Sequence, residues 1–318
     1  MSRRDLERQV ARADALRQHA AAYERARGEL GEIYEVGGRI RSHYAIRSDL
    51  VHTRPRSGAD SSPSSPAGAL APLKGWALQL YLISIFDAQS RRPAGATVDH
   101  ARPLHRAGTG PAGWADLLPT ITQTDPPRAG MRRQAVHALN LLERQHLAVI
   151  AGRGGVAGRY DGVQFLDETG DGTRHTWLRR YSIPRADAAG EVVQLPKAFF
   201  LNGWVHVLTA AEITTYLMIL DLRARYPESG RDGVFKVAAQ RVDRYGVRRD
   251  VYATHGQLAG YGLIHRLDDP ARSADGRIIR RSSPRYTRQP YRFRTISGGF
   301  DRPALTTVST YLRSQLPA

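Results

Sequence analysis

One feature constrains the fold more than any other. A short amphipathic segment, Lys236 to Tyr245, runs into Gly246, and a second helical segment opens two residues later at Arg248. Helices very commonly end on glycine, which turns the chain without the steric cost a side chain would bring. In the second segment Val251, Thr254, His255 and Leu258 fall at i, i+3, i+4 and i+7, so that helix buries one face. Tyr261 to Leu267 then reads as a strand, and Tyr291 to Ile296 as its return. Residues 231–294 hold 15 Lys/Arg against 6 Asp, a net of +9 within a total of +17, so one short stretch carries more than half of the excess.

Helix, glycine turn, helix, strand, basic hairpin and strand is the order of a winged helix-turn-helix, whose second helix enters the DNA major groove while the hairpin lies on the backbone. Burying the Val251 face leaves Arg248, Arg249 and Tyr252 outward, beside the small residues Ala253 and Gly256. Arginines there can make bidentate contacts to guanine. Arg241 and Arg244 on the preceding helix extend the basic face. The wing, Asp268 to Pro290, carries Arg280, Arg281, Arg285 and Arg288, placed to meet phosphates.

A sequence pI near 10.7 points to a polyanionic partner, and only Lys74, Lys197 and Lys236 are lysines. Arginine's planar fork suits phosphate and guanine. Coding bias alone raises arginine content, so the clustering carries the argument. With no Cys there is no disulfide framework and no thiolate metal site, as expected of a cytoplasmic protein. No signal peptide is expected at the polar first residues, and the apolar run Trp76 to Phe86 is too short to span a bilayer.

Along the chain, residues 1–51 read as an N-terminal helical arm, with one long helix over 3–45 whose thin seam (Leu6, Ala13, Leu16, Tyr23, Leu30, Tyr34) suits docking or weak dimerisation. Residues 52–72, rich in Ser and Pro, read as a flexible linker. Residues 73–183 then follow the plan of the C-terminal part. An all-round apolar helix over 72–88 is expected to be buried. A helix over Gly130 to Arg144, a strand at His146 to Ile150, a Gly/Arg hairpin and a return at Val163 to Leu166 complete that unit. Aligning Leu147 with Leu263 places Leu142 on Leu258, Ala135 on Val251 and Met131 on Val247 as core positions. The outward face of this first unit holds Arg132, Arg133 and His137, with Arg153 and Arg159 in its hairpin; it serves either DNA or a dimer surface. Residues 184–207 are a connector, and 177–183 and 192–200 read as strands or as a connecting segment. The second unit, 208–318, opens on a capping box, Thr209 with Glu212.

The arrangement resembles the tandem winged-helix architecture of plasmid replication initiators and, more loosely, bacterial winged-helix transcription regulators. Gln134 to Ile150 with its hairpin, and Leu208 to Ile296, carry the resemblance, which is one of pattern and not of signature motifs. It implies an α+β, mainly helical chain with two winged-helix domains, sequence-specific binding of double-stranded DNA, homodimer formation and contact with replication or transcription machinery, without a membrane. A protein-binding scaffold built on the same helices is the alternative of another class.

Catalysis finds no footing. The eleven His form no HExxH, no paired-His metal spacing and no His-hydrophobe-His pattern. There is no GxSxG elbow and no Walker A loop. The glycines of 152–158 follow a strand as a dinucleotide turn would, but Arg159 to Phe165 is strand-like where that site needs a helix, so a hairpin tip is expected and no cofactor or metal. Asp167, Glu168 and Asp171 read as caps or loop solvation.

Overall fold

The computed structural model describes residues 3–38, 40–53, 64–100, 102–120, 127–152, 158–173, 177–185, 191–230, 232–267 and 290–316. In chain order the elements are α1 (Arg3–Gln18), α2 (Ala20–Val36), β1 (His43–Arg47), α3 (Pro66–Leu70), α4 (Ala77–Arg91), α5 (Pro127–Arg144), β2 (Ala148–Val149) and β3 (Gln164–Phe165). There follow β4 (Val192–Pro196), α6 (Lys197–Leu201), α7 (Trp204–Val207), α8 (Ala210–Arg225), α9 (Ala238–Tyr245), α10 (Arg249–Ala253), α11 (His255–Gly260), β5 (Ile264–Arg266), β6 (Phe293–Thr295) and α12 (Ala304–Ser314). The chain is α+β and mainly helical, and among the described residues its strands make small antiparallel pairs, β1 with β4, β2 with β3 and β5 with β6. No helix of the described residues is long and apolar enough to cross a membrane.

Apolar pattern explains why α4 lies at the centre. Every residue from Ala77 to Ser90 is buried, which is what a helix apolar on all faces requires. Against it sits the β1–β4 ribbon, where Tyr44 opposes Leu195 and Ile46 opposes Val193 on the buried face. Phe86 stacks on Phe200 at 4.6 Å, and Tyr44 meets both rings. One continuous apolar cluster runs from Ala13 to Leu312.

That continuity revises the expected division into arm, linker and connector. The helix expected over 3–45 is two helices and a strand, and Leu16, Ala26, Leu30 and Ile33 are core residues. The connector supplies β4, Phe199, Phe200 and Trp204 to the same core. Of the expected linker, residues 64–72 hold α3, with Ser65, Ala67 and Leu70 buried, while 54–63 lie outside the described residues. The helix expected over 72–88 begins later, at Ala77. The strand expected over 177–183 is reduced to isolated bridges at Arg180 and Ser182. Glu168 does not solvate a loop: it is buried and accepts from Arg47 Nη1 at 2.6 Å.

Why the N-terminal helix docks is visible in one group. The capping box at Thr209 and Glu212 forms as its spacing requires. Glu212 is then left buried, and Arg12 of α1 comes to it, donating to Oε1 at 2.7 Å and Oε2 at 2.8 Å and to the Val207 carbonyl at 2.9 Å. Tyr261 donates its hydroxyl to the same carboxylate at 3.0 Å. Burial by itself would raise the Glu212 carboxyl, and the guanidinium overrides it, holding the group below the ordinary carboxylate range. Removing one partner of such a buried pair strands the other. Arg12→Met is therefore expected to cost about 3–5 kcal/mol of stability in a denaturant titration. Arg17→Met, which breaks an exposed pair with Asp14, should cost no more than about 1 kcal/mol. Equal effects of the two would mean that α1 is not held by Arg12.

Candidate nucleic-acid interface

α9 ends on Gly246, whose φ of 65° is left-handed, and the turn directs α10 away across the core. Val251, His255 and Leu258 are buried beneath the two helices, as the spacing requires, with Tyr245 and Val247 beside them, while Thr254, expected on the same face, is half-buried. The expected single helix from 248 to 258 is broken at Thr254. There the side-chain hydroxyl donates to the Val251 carbonyl at 2.6 Å, a carbonyl that Thr215 Oγ1 also reaches at 3.0 Å. Threonine bonding back to its own helix competes with the regular ladder and bends it. α11 then leads into β5, which pairs with β6 through Ile264↔Thr295, His265↔Arg294 and Arg266↔Phe293. Val234 adds an antiparallel bridge to Phe293 on the open side of β6, an interaction one residue long that leaves no periodic trace in the sequence.

Two parts of the chain outside this unit brace its turn. The Thr53 amide donates to the Arg244 carbonyl at 2.6 Å, and Ser65 Oγ donates to the Tyr245 carbonyl at 2.9 Å. His52 rests its ring against that of Tyr245 at 5.1 Å. Gly68 permits the approach: a Cβ there would lie 2.2 Å from the Tyr245 carbonyl oxygen. The last carbonyls of α9, which no helical partner can satisfy, are thereby used.

The expected contact residues separate into groups. Arg244, Arg248 and Arg249 are exposed, and among the described residues none has a carboxylate within ion-pair distance. Arg241 departs from expectation. It is 6% exposed, and its guanidinium carbon sits 3.9 Å from the centroid of the Tyr252 ring, so it offers no open side chain to a base edge. Tyr252 is half-buried beneath it, with its ring against His255 at 5.0 Å and Phe293 at 6.0 Å. An aromatic ring engaged on that many sides serves the packing of α9 on α10. Arg280, Arg281, Arg285 and Arg288 lie outside the described residues, as does Arg153.

The hairpin and the approach to α9 add groups the sequence did not single out. Arg294 and Arg266 are exposed on the strands. Lys236 covers the exposed Tyr226 ring at 5.1 Å, and Arg292 covers Phe235 at 5.1 Å. Arg266 likewise covers the Tyr291 ring at 4.9 Å, and a cation–aromatic pairing across chain segments has no fixed sequence spacing that could have announced these three.

In the earlier unit Met131, Ala135, Leu142 and Leu147 are buried, the positions aligned with Val247, Val251, Leu258 and Leu263, which are buried too. Arg132, Arg133 and His137 are exposed on α5. His137 donates from Nε2 to the Lys74 carbonyl at 3.3 Å. Arg132 and Arg159 line one cleft of about 260 Å³ together with Asp161, so the positive charge there is partly offset. The β2–β3 pair is antiparallel and β3 follows the glycines where a nucleotide-binding turn would need a helix.

No family model, curated protein or solved structure matches this chain. Function is therefore argued from the geometry of these residues.

Proposed function

We propose that the chain is a sequence-specific double-stranded DNA-binding protein, with residues 208–318 forming a winged helix-turn-helix and residues 73–183 a divergent second copy. The observation that carries this reading is the start of α10, where Arg248 and Arg249 are exposed, without a carboxylate partner among the described residues, directly after a left-handed glycine turn. Order adds support: α8, the Val234 bridge, α9, α10 with α11, β5 and β6 run in the sequence of helix, strand, two helices and hairpin. Repetition of helix, strand and hairpin around one core favours an initiator of replication on a plasmid-like replicon over a regulator with a single DNA-binding unit.

The test separates specificity from affinity. Arg249 stands at the first turn of α10, where recognition helices meet base edges. Arg249→Ala is expected to cost about 1–3 kcal/mol on a selected cognate duplex and much less on random duplex. Binding titrations of wild type and variant on both duplexes measure the difference. Equal weakening on the two would remove α10 as the reader of sequence.

A further inference from the structure

Besides Arg241, the arginine buried among the described residues is Arg102, which has acceptors, as do the part-buried Arg47 and Arg12. Arg102 donates to Asp87 Oδ1 and to the Ala112 carbonyl, each at 2.6 Å; Arg47 has Glu168, and Arg12 has Glu212. Arg241 has none. Its side chain makes no ion pair and no hydrogen bond among the described residues, and its Nε is buried without an acceptor. Its two Nη atoms, equally without acceptors, reach solvent. A guanidinium held this way has lost most of its water and gained only the face of Tyr252 in return. Burial lowers the guanidinium from its ordinary pKa, with Tyr252 opposing that.

The place is as informative as the missing acceptor. Arg241 lies on α9 and Tyr252 on α10, so the stacked pair bridges the two helices. Arg244 is one turn from Arg241, and Arg248 and Arg249 are one turn from Tyr252, so exposed cations flank the pair on both helices. No carboxylate answers any of them among the described residues. An unsatisfied, rigidly stacked fork between two sets of free cations is complementary to a tetrahedral oxyanion, and a planar guanidinium is the donor that suits phosphate oxygens.

We propose that Arg241 and Tyr252 form a phosphate seat, in which the Arg241 Nη atoms receive a non-bridging oxygen of the DNA backbone and the Tyr252 ring fixes the guanidinium plane. The proposal rests on the duplex-binding reading above and adds to it a residue that positions the backbone and carries no sequence information. It gives Arg241 a role opposite to that of Arg249.

Arg241→Met keeps the length of the stem and removes the fork, and Arg241→Lys keeps the charge. The full-length variants are titrated with cognate and random duplex across a series of chloride concentrations, and their thermal unfolding is recorded. Arg241→Met is expected to bind both duplexes on the order of tenfold more weakly at low salt, with the log–log salt slope smaller by about 0.9. Its melting temperature should not fall, because the substitution deletes a buried charge that had no partner. Arg241→Lys should keep the slope. A steep wild-type slope left unchanged by Arg241→Met would overturn the seat while leaving the duplex reading intact. A wild type with no salt dependence would overturn the duplex reading and the seat with it. Unfolding repeated in inorganic phosphate at matched ionic strength distinguishes the source of the oxyanion. If Arg241→Met abolished a phosphate-induced stabilisation but left the duplex slope intact, the seat would serve a free anion and the proposal would be wrong. Should Arg241→Met fail to fold, Arg241→Gln gives the same slope comparison.

Discussion

Affinity for duplex DNA should fall by roughly 10³–10⁵ between about 50 and 200 mM salt, the loss expected when about six to ten phosphates are neutralised and their counterions released. The described part of residues 208–318 offers Arg244, Arg248, Arg249, Arg266 and Arg294 as exposed cations. Their exposure is what makes the effect large, because a cation already paired with a carboxylate must lose that partner before it can gain a phosphate. A protein-binding scaffold on the same fold would behave otherwise, since apolar burial weakens little and can strengthen with salt. Fluorescence anisotropy on a labelled duplex at four or five salt concentrations decides between them. A flat response would end the DNA reading altogether.

Acid should destabilise the chain in a window that two buried imidazoles define. His206 is buried with Nε2 donating to the Leu117 carbonyl at 2.9 Å, and burial lowers its pKa to about 4. His100, enclosed by Trp114, Phe165 and Tyr181, is likewise lowered by burial to about 4. Unfolded, both rings take a proton near pH 6.5. Between about pH 6.5 and 4 the unfolded chain therefore binds protons that the folded chain refuses, so stability is full above the window and falls as the pH falls through it. Each ring contributes up to about 1.4 kcal/mol per pH unit, or roughly 3 kcal/mol across the window. Denaturant titrations at pH 7 and 4.5 measure the loss. His206→Gln keeps an amide donor for Leu117 and cannot titrate, so about half of the pH dependence should go with it. A variant as acid-sensitive as wild type would show that His206 is not responsible.

Local rules were legible in the sequence. Thr209 and Glu212 announce a capping box, Gly246 a left-handed turn, and Val251, His255 and Leu258 a buried face, because each depends on neighbours within one or two turns. The burial of α4 followed from apolar residues on every side. What escaped depends on partners far along the chain. Nothing local gives Arg12 a role until Glu212, 200 residues later, supplies the reason for its place. The β1–β4 ribbon joins segments read separately as arm and connector, and neither predicts the other. Within the candidate interface, periodicity put Arg248 and Arg249 outside, where they are, but it could not report on Arg241, since stacking on Tyr252 is decided by how α9 crosses α10.

Thr53 and Ser65 touch adjacent carbonyls at the end of α9, so two stretches of chain outside the C-terminal unit converge at one place, beside the turn into α10. That makes Ser64, whose side chain lies against Gly246, a natural attachment point for a fluorophore. Its signal would come from within a few residues of Gly246, and it would report on the surroundings of α10 without altering any residue of the helix itself.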